Sequence, residues 1–571
     1  MKNTDIAKVL KDIAALLELK GDSIFKARAY RKAVLSIDHY PKEIKYMLNE
    51  GEDLKNIPGI GDAIANKITE LVTTGKLSYY DDLKAEFPIG ITDLLSISGI
   101  GAKTASRLYN EIGICSVKDL EQAIIDNKIT SVFRPGDKTT DSILLQIRAL
   151  TNEDQRITIK EALSVSNSLI ESLYSVPKIK KISCAGSIRR YVDTIGNINL
   201  IAASDTPETV ISAFITIPQI KKVLSHSKSK ASAITTEGVQ VDLQVVRPDL
   251  FGSFLQYFTG SKKHNIQLCE IAQSKNLKLS KHGVTNLDTD ELETFSQENE
   301  LYRRLNLQYI PPELRESHGE IERAMQSSLP DLVQLADVKG DLHVHTDWSD
   351  GNNSIIEMSL AAKERGYQYL AITDHSGGRG IAHGLNSEKL RNQIDEIKSV
   401  NEQLDDIHVF SGIEVDIRAD GSIDMPHEML CKLDIVIGAV HSAMNQDVDT
   451  MTRRVLSAIE NPDIDIIAHP TCRLLGQRVP VSLDMEAVFT AAAKNNKILE
   501  INAMPIRLDL NDEHAFRARE LGVKLVINTD SHDQTHLDYM HFGVGIARRA
   551  WCELDDVVNT ASLANISSLW S

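Results

Sequence analysis

Cysteine is scarce in this chain: Cys115, Cys184, Cys269, Cys431, Cys472 and Cys552 are the only six among 571 residues. No two form a C-x-x-C pair, which argues against a thiolate-built structural zinc site, and their scatter suggests no disulfide framework. Long apolar runs are missing as well. No stretch approaches the roughly 18–20 consecutive apolar residues of a membrane-spanning helix, and the opening MKNTDIAKVLKDIAALLELK reads as an amphipathic helix rather than a signal peptide. These absences predict a cytoplasmic protein without membrane contact. The length predicts about three to five domains.

Positive charge is short too, with a net charge of −17. The deficit is local: residues 1–320 carry 41 Lys and Arg against 41 Asp and Glu, whereas residues 321–571 carry 22 against 39. Multivalent cations in the acidic part would offset some of its excess. Any contact with phosphate backbones then falls to local clusters such as KKVLSHSKSK (221–230) and to backbone amides.

The acidic part carries a regular series of potential ligands. His343, His345 and Asp350 lie in DLHVHTDWSDG, His375 in TDHS, Glu414 in GIEVD, His441 in AVHS, His469 in AHPT, and Asp530 and His532 in TDSHD. Each cluster adjoins a short apolar run such as YLAIT, IVIGAV or KLVINT, the pattern of a buried strand whose end projects a ligand. Six histidines and three carboxylates can hold more than one metal ion, and the imidazole and carboxylate mixture suits zinc, manganese or iron. Clustered divalent ions activate water and clamp a phosphate ester.

In order and type these residues resemble the PHP (polymerase and histidinol phosphatase) domain, in the version fused to bacterial X-family DNA polymerases. AHPTCRLLGQR, EINAMPIRLDL and GVGIARRAW share the likeness. The resemblance implies a distorted seven-stranded β/α barrel with up to three metals at one mouth. His343, His345, Glu414 and Asp530 would hold the first; Asp350, His375 and His532 the second; Glu414, His441 and His469 the third, with Glu414 bridging. Asp350 and Glu414 would thus stand at the catalytic centre. Arg379, His383 and, as the better candidate, Arg473 lie near ligand clusters in sequence and are expected to hold the substrate's phosphate or sugar.

Two further stretches, LKNIPGIGDAIANKITELV (54–72) and LLSISGIGAKTASRLYNEIG (94–113), repeat a Gly-Ile-Gly turn followed by a helix. Gly59 and Gly61, then Gly99 and Gly101, permit the turn and let a phosphate approach backbone N–H groups. These resemble helix-hairpin-helix motifs, which hold DNA without reading its sequence. Lys67 falls where polymerase beta-like proteins place a Schiff-base amine; a phosphate-contacting helix lysine is the alternative reading.

The middle of the chain resembles the X-family polymerase core. In CAGSIRRYVDTIGNINLIAAS (184–204), Gly186, Ser187 and Arg190 match positions for an incoming triphosphate; in YFTGSKKHNIQL (257–268), Tyr257, Phe258, Gly260 and Asn265 match the nucleotide pocket, making dNTP a candidate ligand. The family's palm strand carries two aspartates spaced by one residue, so that both face the same way, and a third on the neighbouring strand. Here the first two positions are Asn197 and Asn199, leaving Asp242. An amide can coordinate Mg²⁺ but brings no charge to a site for two dications, so polymerase activity is expected to be lost. A site still working through Asp242 with Asp193 or Asp205 is the opposing reading.

The resulting expectation is a multidomain α+β and α/β protein. Residues 1–88 would form an α-helical lyase-like domain with a helix-hairpin-helix, 89–150 fingers with the second such motif, 151–247 a nucleotidyltransferase-like palm, 248–320 a thumb, and 335–571 the PHP barrel. The expected activity is metal-dependent 3′→5′ exonuclease on gapped, nicked or 3′-recessed DNA, with abasic-site cleavage and 3′-end cleaning as related hydrolyses. A small-molecule phosphoesterase resembling histidinol phosphatase and a non-catalytic DNA-end scaffold are the competing classes.

Overall fold

The structure, a computed structural model, describes residues 3–20, 23–38, 44–49, 53–57, 59–87, 94, 100, 102–126, 128–129, 156–176, 178–377 and 384–566. The chain divides into two compact units, residues 1–153 with 476–479, and residues 154–475 with 480–571.

The first unit is helical. In its opening helix, Asn3–Lys20, Ile6, Leu10, Ile13 and Leu17 recur every three or four residues, and all four are buried. They pack in one core with Ile64, Ile68 and Leu71 of the helix Asp62–Thr74. That helix is entered through the first Gly-Ile-Gly turn. Gly59 has φ +88°, and a Cβ there would lie 2.9 Å from Lys32 Cγ, so both backbone angle and space favour glycine. Gly61 is the N-cap, and the helix ends at Gly75 in the left-handed region. Gly99 and Gly101 lie outside the described residues.

The second unit opens with a short antiparallel pair, β1 (Ile157–Thr158) and β3 (Thr194–Ile195). A five-stranded sheet follows, in the order β2 (Lys181–Ala185), β4 (Asn197–Ala203), β7 (Gln240–Val246), β6 (Lys230–Thr235), β5 (Ile220–His226). Strands β4 and β7 run parallel, and their register sets Asn197 beside Gln240 and Asn199 beside Asp242. Alternation buries Ile198 and Leu200 and leaves the two asparagines half-buried on the other face. Next comes a small antiparallel sheet of β8 (Leu277–Ser280), β9 (Gly283–Asn286) and β10 (Leu292–Glu293), packed with helices.

The rest is a nearly closed parallel barrel: β11 (Gly340–Val344), β12 (Tyr369–Ile372), β13 (His408–Asp416), β14 (Ile435–Ala439), β15 (Ile466–Ile467), β16 (Ile498–Asn502) and β17 (Leu525–Asn528), neighbours in chain order. A bridge between Val344 and Ser531 brings the last strand's end back to the first. Strands covered on both faces read as continuous apolar runs rather than alternating ones, as YLAI and IVIGA do. Leu342, Tyr369, Ile437, Ile466 and Val526 fill one cluster, while Val344, Ile372 and Ile467 pack in the larger core that continues into the five-stranded sheet.

Two details set the mouth. The β11–β12 ladder loses register between Asp341 and Val344. This irregularity shifts the in-out alternation after Leu342, which lets His343 and His345 both turn to the mouth while Val344 faces the outer core. The seam between the barrel and the region around the five-stranded sheet is tight: Tyr191 packs so closely on the helix Met540–Arg549 that a Cβ at Gly545 would lie 2.0 Å from its ring. No helix among the described residues is long and apolar enough to cross a membrane.

Candidate metal centre

The nine histidine and carboxylate residues converge on the ends of the barrel strands. His343 and Glu414 sit within β11 and β13; His375, His441, His469 and Asp530 follow the ends of β12, β14, β15 and β17 by two or three residues. This is the face where parallel barrels build their sites. His469 and Asp530 both hold positive φ, at 29° and 53°, a backbone state that non-glycine residues adopt only when the surroundings impose it.

Glu414 lies at the middle of the group. Its Oε2 is 2.7 Å from His375 Nδ1 and 3.6 Å from Nε2 of both His343 and His345, while its Oε1 is 3.1 Å from His469 Nε2 and 3.2 Å from His441 Nε2. Asp530 Oδ1 lies 3.2 Å from His345 Nε2 and 3.5 Å from His343 Nε2. Asp350 approaches His375 at 3.5 Å and His532 at 3.4 Å. Three donor sets emerge within metal-binding reach: His345, Asp350, His375 and His532; His343, His345 and Asp530; and His375, Glu414 and His441. His343 and His345 side chains are fully buried, whereas His532 is 27% and Asp350 14% exposed, so solvent reaches the centre from their side.

These residues fit metal ions. His345 Nδ1 and His469 Nδ1 are buried without a hydrogen-bond partner, which is costly for a polar atom unless something else occupies it. Burial would push the carboxyls of Glu414 and Asp530 up, yet the surrounding imidazoles, His441 and His375 for the one and His343 for the other, hold both well below the usual range. Burial lowers His345 to about 3, helped by His532 and His375, and His469 to about 4, helped by Arg507. His532 is the reverse: burial opposes its charge, but Asp350 and Asp530 raise it to about 9. Ionised carboxylates beside neutral His345 and His469 are in the state metal ligands need, whereas His343, which Glu500 and Asp530 raise well above its usual range against burial, and His532 would give up protons to a metal.

A supporting layer was not apparent from the sequence. Glu500, from β16, sits 2.7 Å from His343 Nδ1 and accepts the His469 backbone N–H at 2.8 Å. Asp416 lies 3.3 Å from His441 Nδ1. Such carboxylate–histidine contacts orient ligand rings and raise their basicity. The visible signal for Glu500 is a carboxylate inside the otherwise apolar run ILEIN. Arg507, whose Nε is 3.4 Å from Asp530 Oδ2, is another missed residue.

Arg473 has partners that its sequence context does not mark. It donates to Arg507 O at 2.8 Å, to Leu508 O, and to Asp193 of the palm at 2.9 Å. Its guanidinium is 10% exposed and joins barrel loop to palm. Arg379 and His383 lie outside the described residues.

The palm pocket shows a similar pattern. Asn197 donates to Asp242 at 3.0 Å, and Gln240 donates to both oxygens of Asp242 at 3.2 and 3.1 Å. Gly186, with φ +67°, leaves Asn199 Nδ2 3.1 Å from where a Cβ would stand, and Ser187 follows it in a short helical turn, Gly186–Arg189. Arg190, expected to meet a triphosphate, instead donates to Glu316 at 2.9 Å and to Thr259 O, because that carboxylate and carbonyl enclose it. Gly260 keeps φ +70° with Arg190 3.3 Å from its would-be Cβ. Tyr257 packs edge-on against Phe258, and Asn265 donates to Tyr257 O at 2.8 Å. A cavity of about 460 Å³ remains, lined by Asn199, Asp242, Phe258, His226 and Lys230 among others.

In the helical unit, Lys67 Nζ donates to Ala63 O at 3.3 Å and stands 4.5 Å from the Tyr79 ring centre. Tyr79 stacks on Tyr30.

Comparison with known proteins fits this architecture. Residues 1–77 match a helix-hairpin-helix domain, 91–149 a SAM-like helix-hairpin-helix tandem, 254–316 the DNA polymerase beta thumb, and 341–504 the PHP domain. Over 233 residues, a probable phosphatase of Thermoanaerobacter sp. (strain X514) is 30% identical, covering 38% of this chain and 89% of that protein. One from Shewanella sp. (strain MR-4) is 29% identical, covering 40% and 90%. The DNA polymerase/3′-5′ exonuclease PolX of Bacillus subtilis (strain 168) is 38% identical over 570 residues, 100% of this chain and 99% of the relative. An identity of that level along both full lengths, joined to a helix-hairpin-helix region, a polymerase thumb and a metal-fitting PHP barrel, means that the chain belongs to the PolX family of DNA polymerases/3′-5′ exonucleases.

Proposed function

We propose that the barrel centre hydrolyses DNA phosphodiesters, chiefly removing nucleotides from 3′ ends, while the palm positions gapped or nicked DNA without extending it. The observation that carries the nuclease reading is the placement of Glu414, one oxygen toward His343, His345 and His375 and the other toward His441 and His469. His343, His345, Glu414 and Asp530 would hold one ion, Asp350, His375 and His532 a second, and Glu414, His441 and His469 a third. Manganese, zinc or iron suits these nitrogen and oxygen donors. When bound, such ions supply hydroxide at neutral pH and offset charge on the phosphate.

The protein's own groups do the rest. Arg507, beside Asp530 and 20% exposed, takes the phosphate-holding role in place of Arg473. Asp350 and His532 form the solvent-facing edge through which a strand end enters. Glu500 and Asp416 fix the His343 and His441 rings, so that the donors need not reorganise. In the palm, Asp242 stands among neutral amides and supplies one negative charge to a site that must hold two dications beside a triphosphate, which supports loss of polymerisation. DNA held through the first helix-hairpin-helix would be bound irrespective of sequence, with Lys67 as a phosphate contact. Abasic-site cleavage and 3′-end cleaning are further hydrolyses open to the same centre.

The test is a labelled gapped duplex incubated with Mn²⁺, with and without dNTPs. Shortening without extension is expected, and Glu414→Ala should deplete bound metal and abolish it. Full nuclease activity in that variant at unchanged metal content would overturn the reading. A phosphatase, as the Thermoanaerobacter and Shewanella relatives are named, would release phosphate from small esters and leave the strand intact. A scaffold would only retard the duplex on a gel.

A further inference from the structure

Away from the mouth, a second group of metal-binding side chains stands at the other end of the barrel. His427 and Cys431 belong to the segment entering β14, and Asp463 to the segment entering β15. All three therefore precede the strands whose far ends lead to His441 and His469. We propose that His427, Cys431 and Asp463 bind one divalent transition ion of zinc-like softness, separate from the nine-residue centre.

The local sequence brings the donors together. Pro426 caps a one-turn helix, His427–Leu430, and Cys431 follows as its C-cap, so His427 and Cys431 are four residues apart on one face. Asp463 is set by a turn in which its N–H bonds Asn461 Oδ1 at 2.9 Å. Two residues on, Asp465 accepts the Val436 N–H at 2.8 Å and ties this loop to the start of β14. Both loops are thus fixed without an ion.

The distances fit. His427 Nδ1 is 2.8 and 2.7 Å from the two Asp463 oxygens, and Cys431 Sγ is 3.4 Å from Nδ1 and 3.3 Å from Nε2. A tetrahedral ion with bonds of about 2.0–2.3 Å spaces its donors about 3.3–3.6 Å apart. The sulfur, almost equidistant from both ring nitrogens, lies over the imidazole face, so Cys431 must turn its side chain to stand beside Nδ1, while the histidine–aspartate contact need open by only about half an ångström. Thiolate, imidazole and carboxylate together select zinc, cobalt or nickel over magnesium or calcium. Binding breaks the Cys431 S–H bond and the imidazole N–H facing Asp463 and forms metal–sulfur and metal–nitrogen bonds. The thiol proton passes to solvent, the proton leaving Nδ1 is balanced by one taken up at Nε2, and no electron is transferred. With His427 68% exposed, water completes the coordination. The ion would clip the β13–β14 connection to the β14–β15 connection.

The two sites differ in donor atoms, which makes them separable: the nine-residue centre offers nitrogen and oxygen only. Full-length protein in a phosphine reductant is titrated with Co²⁺ and followed by absorption. A thiolate-to-cobalt charge-transfer band that saturates at the intensity of one thiolate–cobalt bond per chain is expected. It should persist in Glu414→Ala, Cys269→Ser and Cys472→Ser, vanish in Cys431→Ser, and require at least about tenfold more Co²⁺ in Asp463→Asn. No band in the native protein, or an undiminished band in Cys431→Ser, overturns the proposal.

Discussion

Asn197 donates its side-chain amide to Asp242 across 3.0 Å, and Gln240, two residues before Asp242 on β7, donates to the same carboxylate. The aspartate is satisfied by neutral neighbours instead of waiting for a cation. Converting Asn197→Asp and Asn199→Asp together would set three carboxylates on adjoining parallel strands in the register already present. In a Glu414→Ala background, that variant is expected to incorporate dNTPs on a primed template, while the parent extends nothing. Robust extension by the parent would show that two amides and one carboxylate suffice.

Glu500 holds the His343 ring and the His469 backbone at once. Glu500→Gln keeps the shape and removes the charge. Metal affinity and strand shortening should each fall about 10–100-fold, read by chelator competition and by the gapped-duplex assay. Unchanged affinity would reduce Glu500 to a packing role.

The nine residues of the centre were legible because each stands beside an apolar run, and a parallel barrel gathers the ends of its strands. What surrounds them was not. Arg473 meets Asp193 across 280 positions of sequence, and Arg190 meets Glu316 across 126; nothing local marks either pair. Both arginines follow motif residues, and both turned out to serve the seam and the thumb. The irregular register of β11 was equally hidden, since DLHVH reads as simple alternation. The fold class was readable from strand-and-helix alternation together with the likeness to known domains, whereas Glu500 required knowing which face of β16 looks inward.

A buried trio near the thumb gives a pH expectation. Glu298 pairs with Arg315 at 2.8 Å and Arg189 at 2.5 Å. Burial alone would push its carboxyl up, but Arg315 and then Arg189 outweigh that and hold it at about 2, against an ordinary 4.5. The folded value is the lower one, so the stabilisation is complete above pH 4.5 and drains away as pH falls toward 2. It amounts to about 3 kcal/mol. Denaturant midpoints measured across that window should drop more steeply for the native protein than for Glu298→Gln. Parallel curves would refute the assignment.

The close approach of Tyr191 to Gly545 can be tested by overfilling it. Gly545→Ala places a carbon 2.0 Å from the ring and should cost about 1–3 kcal/mol of stability. Adding Tyr191→Ala should return part of that loss, because the obstructing ring is gone. Additive destabilisation in the double variant, measured by chemical denaturation, would contradict the contact.

The core running from the palm into the barrel has a consequence for how such a chain can change over time. The palm sheet is one wall of the barrel's support, clamped by Tyr191, by the Arg473–Asp193 pair and by Arg549, which donates to the Arg190 carbonyl. The palm cannot simply be shed, since its removal would strip apolar surface and leave Arg473 without its carboxylate. The barrel is mechanically tied to its neighbour, and the palm serves it as masonry whether or not it extends DNA.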